Sequence, residues 1–498
     1  MNLIILAAGA GSRLGNLTKN IPKCLVSFGG TPAIDTLLSV LPEADSITVC
    51  LSNDFRGELL KNYLSTKYCN VKFVVQKNPI GTANAVDLCL ETDEDVLISW
   101  SDILPKNLVD IPTESSIFTT SDFLCRYRFD GTKIEKTDGN IIGLFFISRE
   151  DVKIIKPMLS GELNADFVDI LNKSGIIFNN VHIDCFDFGT ESTLRETSNK
   201  LNTSAYADIE IDGCVVHKKY NDLSLFTKEA TWYRFSPQSV KRFIPNIINI
   251  DDDNYSIDME YIEPSSLRSE SDMRDFLARV VYVLEEYFHS NKYPLHYESL
   301  IQEYIDEPIR RCELIYKLVP MLSNSKIIIN YNEYDNPYEL LHTHGKKIID
   351  KLIPSNFSFI HGDPTMQNLI LRGGEPVFID PKAKFGNIWL YGDPKYDFAK
   401  LYYSFVGNYD GFNKGEYTLD INKDGFRYSI DKHRFWGLGD WYLTYLQRVL
   451  SIPIGSVKLL HAIIWLRLVG YILPRSFEQA IVAFLNASVL LNNSLEIV

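Results

Sequence analysis

The sequence predicts an α/β protein, with a doubly wound, mostly parallel sheet in its N-terminal part and a two-lobed α+β domain after it. In the first two hundred residues, short apolar runs alternate with helical stretches, as they do where crossover helices join parallel strands. Short strands follow, and helical patterns dominate from about Ser271 to the end of the chain. With 498 residues, the chain is also too long for a single hydrophobic core. These observations favour two domains over one.

The N-terminal sheet is predicted from apolar runs of strand length. Helical stretches such as Ala83–Leu90 lie between these runs. Doubly wound sheets bind their ligands at the carboxyl ends of the strands, so functional residues are expected directly after the runs. The runs are Asn2–Ala7, Ser46–Leu51, Val71–Gln76, Val96–Trp100 and Ile141–Ile147.

A polar stretch, Glu196–Ala207, follows a predicted helix and marks the change between the two patterns. We therefore predict one domain at residues 1–204 and a second at residues 205–498. Within the second domain, strand patterns predict a small lobe at about 205–265, and helical patterns predict a larger lobe at about 266–498.

Composition and charge limit the classes of partner. The formal charge of −14 argues against nucleic acid, since phosphate backbones attract basic surfaces, and small molecules are the expected substrates. The apolar segment Leu459–Leu473 is too short to cross a bilayer and contains Arg467, so no membrane insertion is expected. Eight scattered cysteines without ligand spacing favour reduced thiols and a cytoplasmic protein. The sequence leaves homo-oligomerisation open.

A glycine-containing loop follows the first apolar run, in the motif L-A-A-G-A-G-S-R-L. Backbone N–H groups around Ala8, Gly9 and Gly11 can approach phosphates closely there, because glycine brings no side chain into the way. Arg13 lies in the same motif, and Lys23 follows in P-K-C-L. Two cations at this point can neutralise a triphosphate and the charge that develops as pyrophosphate leaves.

Together these two motifs resemble those of nucleotidyltransferases that join an NTP to a sugar 1-phosphate or to phosphocholine. The resemblance extends to about residue 200. It implies that Gln76, Gly81 and Thr82, in Q-K-N-P-I-G-T, contact the nucleotide. It also implies that Asp102, in W-S-D, and Asp187, in D-F-G-T, hold Mg²⁺ between the phosphates of the two substrates.

The same resemblance implies that Lys136, in I-E-K, contacts the phosphate of the acceptor. The proline that follows this lysine in the family is missing here, and the spacing to the next strand is short. Chemistry at such a site needs no protein nucleophile. The acceptor phosphate attacks the α-phosphorus, and catalysis comes from positioning and from charge neutralisation.

A second motif, H-G-D-P-T-M-Q-N, lies between two apolar strands near residue 363 and is followed by a further aspartate. Asp363 can accept a proton from a substrate hydroxyl. Asn368 and Asp380 can hold the magnesium ions that bridge the phosphates of ATP. This spacing is that of a phosphotransferase, so ATP is an expected substrate at a second site.

The motif resembles the catalytic loop of the aminoglycoside phosphotransferase and choline kinase families. The resemblance implies an earlier strand whose lysine pairs with the α- and β-phosphates, and Lys218 fits that position, with Glu229 orienting it. Lys219 stays an alternative, because a register error of one residue moves a side chain to the other face. Glu260 and Tyr261 correspond to the hinge whose backbone binds adenine. No glycine-rich loop precedes Lys218, unlike in these families.

Two nucleotide-dependent sites on one chain predict a bifunctional enzyme that uses ATP, a second NTP and Mg²⁺. Its second domain would phosphorylate a small hydroxylated metabolite, and its first would join the product to a nucleotide, giving an activated precursor for a surface polysaccharide. The D-x-G-T motif favours a sugar 1-phosphate as the acceptor. A choline- or ethanolamine-type kinase joined to a CTP-dependent cytidylyltransferase is the alternative. A nucleotide-binding pseudoenzyme is a third reading.

Overall fold

The computed structural model describes two compact units. The first is built chiefly on residues before 202, and the second chiefly on residues after 206. The predicted domain boundary between 204 and 205 and the predicted lobe boundary near 265 lie outside the described residues. Those described are 1–78, 80–91, 94–201, 207–264 and 269–496.

The first unit contains a seven-stranded, mostly parallel sheet, as the alternation of strands and helices predicts. The strands are β1 Asn2–Leu6, β2 Ser46–Ser52, β3 Val71–Gln76, β4 Val96–Trp100, β5 Ser116–Thr119, β6 Ile141–Ile147 and β7 Asn179–His182. Their spatial order is β7-β5-β6-β4-β1-β2-β3. β6 is antiparallel to both of its neighbours, and the other pairings are parallel.

Helices cover the central strands of this sheet. Every residue of β1 and of β6 is buried, which is why both read as continuous apolar runs in the sequence. Asp54 caps the helix that begins at Phe55, because its carboxylate accepts hydrogen bonds from two backbone N–H groups. Ser148 caps the helix that begins at Arg149 in the same way, with its hydroxyl as the acceptor. The helices are α1 Ala33–Val40, α2 Phe55–Lys67, α3 Thr82–Cys89, α4 Arg149–Gly161, α5 Phe167–Lys173 and α6 Glu191–Leu201. Short strand pairs are Ser27–Phe28 with Thr31–Pro32, Ile103–Pro105 with Cys185–Asp187, and Arg128–Phe129 with Ile134–Glu135.

The second unit opens with a four-stranded antiparallel sheet and one helix against it. The strands lie in the order β8-β9-β11-β10. Asp222 caps the helix that follows β9 by accepting a hydrogen bond from the Leu225 N–H at 3.0 Å. The elements are β8 Ala207–Asp212, β9 Val215–Tyr220, α7 Leu223–Phe235, β10 Ile247–Asp251 and β11 Ser256–Glu260.

Helices make up most of the rest of the second unit. One π-helical turn, Leu284–Phe288, follows the helix that ends at Val283. Another, Gln302–Asp306, joins the helix that ends at Ile301 to the helix that begins at Glu307. The helices are α8 Glu270–Val283, α9 Tyr297–Ile301, α10 Glu307–Leu318, α11 Pro337–Leu352, α12 Pro394–Phe405, α13 Tyr409–Asn413, α14 Gly439–Leu450, α15 Ile454–Ile472 and α16 Phe477–Glu496. Short strands are Lys292–Tyr293, Phe357–Phe359 and Tyr391–Gly392 in one sheet, Leu369–Arg372 with Glu375–Phe378, and Lys384–Phe385 with Ile388–Trp389.

A second four-stranded sheet interrupts the region that the sequence predicts as helical. It combines two hairpins that lie far apart in the chain, and one parallel pairing joins them. Its strands are β12 Lys326–Ile329, β13 Asn332–Asp335, β14 Tyr417–Asn422 and β15 Gly425–Ile430.

Helix α15 is long and apolar enough to span a bilayer by length and composition alone. Of its most apolar window, 67% is buried inside the second unit. Its residues pack on α12, and Trp465 and Leu466 are almost fully buried. This burial is that of a core helix.

We expect Gly143→Ala to destabilise the first unit by at least about 3 kcal/mol, through backbone strain and overpacking. Gly143 has φ +87°, and a Cβ there would lie 2.1 Å from the Trp100 ring. Gly131 is the matched control, with φ +96° and nothing within 4 Å of its Cβ position. Gly131→Ala should cost only about 1–2 kcal/mol. Hydrogen exchange of the β6 amides measures both variants, and equal losses would contradict the contact with Trp100.

Candidate active sites

The carboxyl ends of β1 and β4 open onto a cavity of about 320 Å³ in the first unit. It lies where a doubly wound sheet is expected to bind its ligand. Nine of the residues predicted for the first site line this cavity together. They are Ala8, Gly9, Gly11, Arg13, Lys23, Gln76, Gly81, Thr82 and Asp102.

The loop after β1 turns sharply at Gly11. This residue has φ +65°, and a Cβ would lie 2.9 Å from the hydroxyl oxygen of Thr18. That hydroxyl donates a hydrogen bond to the Gly11 carbonyl at 2.9 Å, and the Leu14 N–H donates to the same carbonyl at 2.8 Å. Only glycine fits this turn without strain, which explains the residue type in the motif.

Lys23 and Asp102 form an ion pair at the base of this cavity. Lys23 Nζ donates to Asp102 Oδ2 at 2.5 Å, and the side chains are only 15% and 8% exposed. Burial by itself would raise the pKa of Asp102. The charges of Lys23 and, further away, Arg13 outweigh burial and hold that pKa below its ordinary value. Asp102 is therefore ionised at neutral pH.

Asp187 lies close to Asp102, although it does not line the cavity. A Cβ on Gly189 would lie 2.9 Å from Asp102 Oδ2 and 3.2 Å from Asp187 Oδ1, so the two carboxylates flank this glycine. Burial and the nearby charge of Asp102 raise the pKa of Asp187, and a hydrogen bond from Thr193 opposes this shift. A cation between the two carboxylates would relieve this repulsion.

The structure places Lys136 outside the cavity. Its side chain is 68% exposed, and its Nζ lies 3.4 Å from Oδ2 of Asp166. Asp166 does line the cavity, and so does Arg126, whose guanidinium lies 5.8 Å from the centre of the Trp100 ring. Sequence reasoning missed both residues, and Arg126 is a further cation that lines this cavity beside Arg13 and Lys23.

A larger cavity of about 680 Å³ lies in the second unit. Its lining comes from β8, β9 and α7 on one side, and from the loops and helices of the helical region on the other. Five residues predicted from the second motif and its surroundings line it together: Lys218, Glu229, Asp363, Asn368 and Asp380.

Lys218 is buried at the centre of an ion-pair cluster. Its Nζ donates to Glu229 Oε2 at 2.8 Å and to Asp380 Oδ1 at 2.6 Å. Burial opposes the charge on Lys218, but the two carboxylates outweigh it and raise the pKa of this lysine. Lys219 is exposed on the opposite face of β9, so the structure brings Lys218 to the cavity and leaves Lys219 outside it.

Asp363 and Asn368 face each other across the loop that precedes the hairpin 369–378. The Asn368 amide nitrogen donates to the Asp363 carbonyl at 2.9 Å and to its carboxylate at 3.2 Å. Lys400 Nζ lies 2.9 Å from the other carboxylate oxygen of Asp363. His361 is fully buried, and burial lowers its pKa, so this imidazole is neutral and supports the loop.

Asp397, in the first turn of α12, holds the same loop through hydrogen bonds to its backbone. Its carboxylate accepts hydrogen bonds from the N–H groups of His361 at 3.0 Å and of Gly362 at 2.7 Å. His289 Nε2 lies 3.0 Å from the same group. These contacts fix the loop in the position from which Asp363 enters the cavity.

Glu260 and Tyr261 do not line the larger cavity. The N–H of Glu260 donates to the Asn246 carbonyl at 3.0 Å, and that of Tyr261 donates to the Cys214 carbonyl at 2.7 Å. The side chain of Glu260 is also engaged, in an ion pair with Arg372. Of the residues predicted for the second site, these two are the ones that the structure does not bring to the others.

Residues 2–109 match the family model described as nucleotidyl transferase. The first unit contains a nucleotidyl transferase domain. Over 164 residues the chain is 31% identical to the CTP:phosphoglutamine cytidylyltransferase of Campylobacter jejuni, covering 29% of this chain and 65% of that protein. Over 134 residues it is 33% identical to the mannose-1-phosphate guanyltransferase of Schizosaccharomyces pombe, covering 26% and 32%. The chain thus spans about a third to two thirds of the length of these curated relatives.

Among solved structures, the chain is similar to a CTP:phosphocholine cytidylyltransferase from Streptococcus pneumoniae. The sequence identity is 19% and the TM-score is 0.33, and the match covers 40% of this chain and 98% of that one. A second match is the inositol-1-phosphate CTP transferase of T. maritima, with 18% identity and a TM-score of 0.34, covering 41% and 96%.

The residues of the nucleotidyl transferase domain fit a Mg²⁺ ion. Asp102 Oδ1 is buried and accepts no hydrogen bond from any described residue, and Asp187 lies next to it. Oxygen ligands of this kind suit Mg²⁺, which takes few protein ligands and completes its shell with phosphates and water. Within the described ranges, no group of three or more His, Cys, Asp or Glu side chains is arranged to hold a metal ion.

The larger cavity also fits Mg²⁺, at Asn368 and Asp380. Asn368 uses its amide nitrogen for Asp363, so its carbonyl oxygen is available as a ligand. Asp380 has φ +54°, a strained conformation for a non-glycine residue that aims its carboxylate toward Lys218. Both residues supply the oxygen ligands that Mg²⁺ prefers.

Sequence reasoning missed further charged residues that line the larger cavity. Glu303, on the second π-helical turn, is 3% exposed and pairs with both Lys382 and Arg467. It also accepts a hydrogen bond from the Gly386 N–H at 3.1 Å, so it holds the segment 382–386 at both ends. Arg467 gave a signal in the sequence, since a charge inside an apolar helix needs a buried partner.

We expect Lys23→Met to destabilise the nucleotidyl transferase domain by about 3–5 kcal/mol at pH 7, because Asp102 would remain buried without its partner. In the native protein the pKa of Asp102 is lowered, so this carboxylate stabilises the fold above pH 3.8 and less as the pH falls through its folded pKa. In the variant, burial dominates and raises that pKa, so the loss of stability should shrink on acidification. Hydrogen exchange of the β1 amides between pH 7 and pH 5 measures this.

The control is the double variant Lys23→Met/Asp102→Asn, which removes the charge together with its partner. Its stability should exceed that of Lys23→Met and should not depend on pH through this site. If Lys23→Met lost the same stability at both pH values, the ion pair would not be what holds Asp102.

Proposed function

We propose that this chain catalyses two consecutive reactions. The second unit phosphorylates a small hydroxylated metabolite with ATP, and the first transfers a nucleotidyl group from an NTP to the phosphorylated product. The order follows from the chemistry, since a phosphate must exist before it can be joined to a nucleotide. A sugar 1-phosphate is our first candidate for the acceptor of the nucleotide, and the product would be an activated precursor for a surface polysaccharide. Both reactions are assigned to the cytoplasm.

The nucleotidyl transfer in the first unit is supported by the cavity beside β1 and by the family match of residues 2–109. A phosphate oxygen of the acceptor attacks the α-phosphorus of the NTP. The bond from the α-phosphorus to the bridging oxygen breaks, and pyrophosphate leaves with the electron pair. Arg13 and Lys23 line the cavity where charge develops on the leaving group.

The phosphoryl transfer is supported above all by the convergence of Lys218, Asp363, Asn368 and Asp380 in one cavity. The acceptor hydroxyl gives its proton to the Asp363 carboxylate, and its oxygen attacks the γ-phosphorus of ATP. The bond from the γ-phosphorus to the β–γ bridging oxygen breaks, and ADP leaves. Lys218, oriented by Glu229, contacts the remaining phosphates. At both sites Mg²⁺ supplies neutralisation of phosphate charge.

Choline or ethanolamine as the kinase substrate, with CTP for the second step, is the alternative. The name of the Campylobacter relative gives CTP as the donor, which favours a cytidine nucleotide, whereas the Schizosaccharomyces relative is a guanyltransferase. The acceptors in these two names, phosphoglutamine and mannose 1-phosphate, also differ from each other. The nucleotide base and the acceptor therefore need a direct screen.

The screen is release of pyrophosphate by the purified chain with Mg²⁺, crossing CTP, UTP, GTP, ATP and dTTP with phosphorylated acceptors. The acceptors are hexose 1-phosphates, phosphocholine, phosphoethanolamine, phosphoglutamine and polyol phosphates. We expect one pair to respond well above the others. The same acceptor without its phosphate should then release ADP from ATP. Pyrophosphate release that does not need an acceptor would contradict nucleotidyl transfer.

We expect Asp363→Asn to lower ADP release at least about 10³-fold and to leave pyrophosphate release from a supplied phosphorylated acceptor unchanged. Asp102→Asn should do the reverse, because it removes a charge from the other cavity. Both substitutions keep side-chain shape. If either one abolished both activities in a chain whose hydrogen exchange is native, the two-site proposal would be wrong.

A further inference from the structure

Every carboxylate that lines the larger cavity is already paired with a cation. The five lining carboxylates include the two that bind Lys218 and the one of Asp363. The pairs are Glu229 and Asp380 with Lys218, Glu303 with Lys382 and Arg467, Glu307 with Arg310 and Arg311, and Asp363 with Lys400.

Two cations that line the same cavity have no such partner. Within the part of the chain that the structure describes, neither Lys228 nor Lys384 forms an ion pair or a side-chain hydrogen bond. Lys228 lies on α7, one residue before Glu229, and so belongs to the end where Lys218 awaits the triphosphate. Lys228 and Lys384 are therefore the lining cations without a carboxylate partner among the described residues, and Lys384 is the one that ATP does not explain.

Lys384 lies near the loop that carries Asp363, since the N–H of Lys382, two residues before it, donates to the His361 carbonyl at 2.8 Å. It lies in the segment 382–386, which Glu303 holds through the Lys382 ammonium at 2.5 Å and the Gly386 N–H at 3.1 Å. Phe385, its neighbour, is buried, so the alternation of an extended chain turns Lys384 away from the core. Both Lys384 and Lys382 line the cavity, next to Tyr409 and Tyr471.

We propose that the metabolite phosphorylated in this cavity carries a second, anionic group, a carboxylate or a phosphate, and that Lys384 binds it. This inference rests on the proposed kinase function. An uncharged acceptor would leave Lys384 desolvated without compensation. A cationic acceptor such as choline would find no unpaired carboxylate among the lining residues. The substrate class is therefore hydroxylated acids: sugar acids, hydroxy acids, hydroxyamino acids or sugar phosphates.

The test uses acceptors that differ only in the anionic group. The full-length chain, with Mg²⁺ and ATP, is given glycerol, glycerate or glycerol 3-phosphate, then glucose, glucuronate or glucose 6-phosphate, then ethanolamine or serine. We expect kcat/KM for ADP release to be at least about tenfold higher for the anionic members. The arms also tell a carboxylate from a phosphate as the preferred group. A neutral or cationic member that matches or exceeds its anionic counterparts would overturn the inference.

Lys384→Gln should raise KM for the anionic members about tenfold and leave kcat and the neutral members unchanged. Lys423→Gln, at an exposed position in the β14–β15 turn, is the matched control and should change nothing. An anionic preference that survives Lys384→Gln would overturn the assignment.

Binding separates this inference from the kinase proposal. Saturation-transfer NMR measures binding of glycerate, glucuronate and serine to the wild-type chain and to Lys384→Gln in the presence of Mg²⁺ and an ATP analogue. Binding that is lost in the variant supports the anion site even if no acceptor releases ADP, an outcome that would contradict the kinase function alone. No binding of any of these three carboxylates would overturn the inference.

Discussion

The ion pairs of Lys218 with Glu229 and Asp380 join three parts of the second unit: strand β9, helix α7 and the segment after the hairpin 369–378. Lys218 and Glu229 cannot stay buried alone, because an unpaired charge in a low dielectric costs several kcal/mol. The backbone must therefore bring β9 and α7 together, and Asp380, whose side chain is 49% exposed, adds a second carboxylate from the third element. The cavity lies where these three elements meet.

The same constraint operates in the nucleotidyl transferase domain. Lys23 comes from the segment after the glycine-containing loop, and Asp102 comes from the end of β4. Their contact fixes the loop relative to the sheet edge. Asp187 lies beside Asp102 at Gly189, and burial together with the charge of Asp102 raises the pKa of Asp187.

The sequence predicts those parts of the sites that lie in contiguous motifs, such as the loop at Gly11 and the loop from His361 to Asn368, because their geometry is local. The choice between Lys218 and Lys219 depends on the register of β9, because a shift of one residue moves each side chain to the other face. The sequence of this strand alone does not fix that register. Glu303 and Arg467 meet only through tertiary packing, so no spacing in the sequence relates them. The missed hairpin β14–β15 did carry a signal: Asp424-Gly425, a turn pair between two alternating runs.

The π-helical turn at Gln302–Asp306 contains one residue more per turn than the α-helices on either side, and the Glu307 N–H bonds to the Gln302 carbonyl. Such turns are rare and occur frequently at functional sites. Deleting one residue would return the helix to regular winding and rotate Glu303 by about 100° around the axis. The segment 382–386 would lose its clamp, although the helix itself would become more regular. Regular helical winding at this point would therefore remove the contacts by which Glu303 holds this wall of the larger cavity.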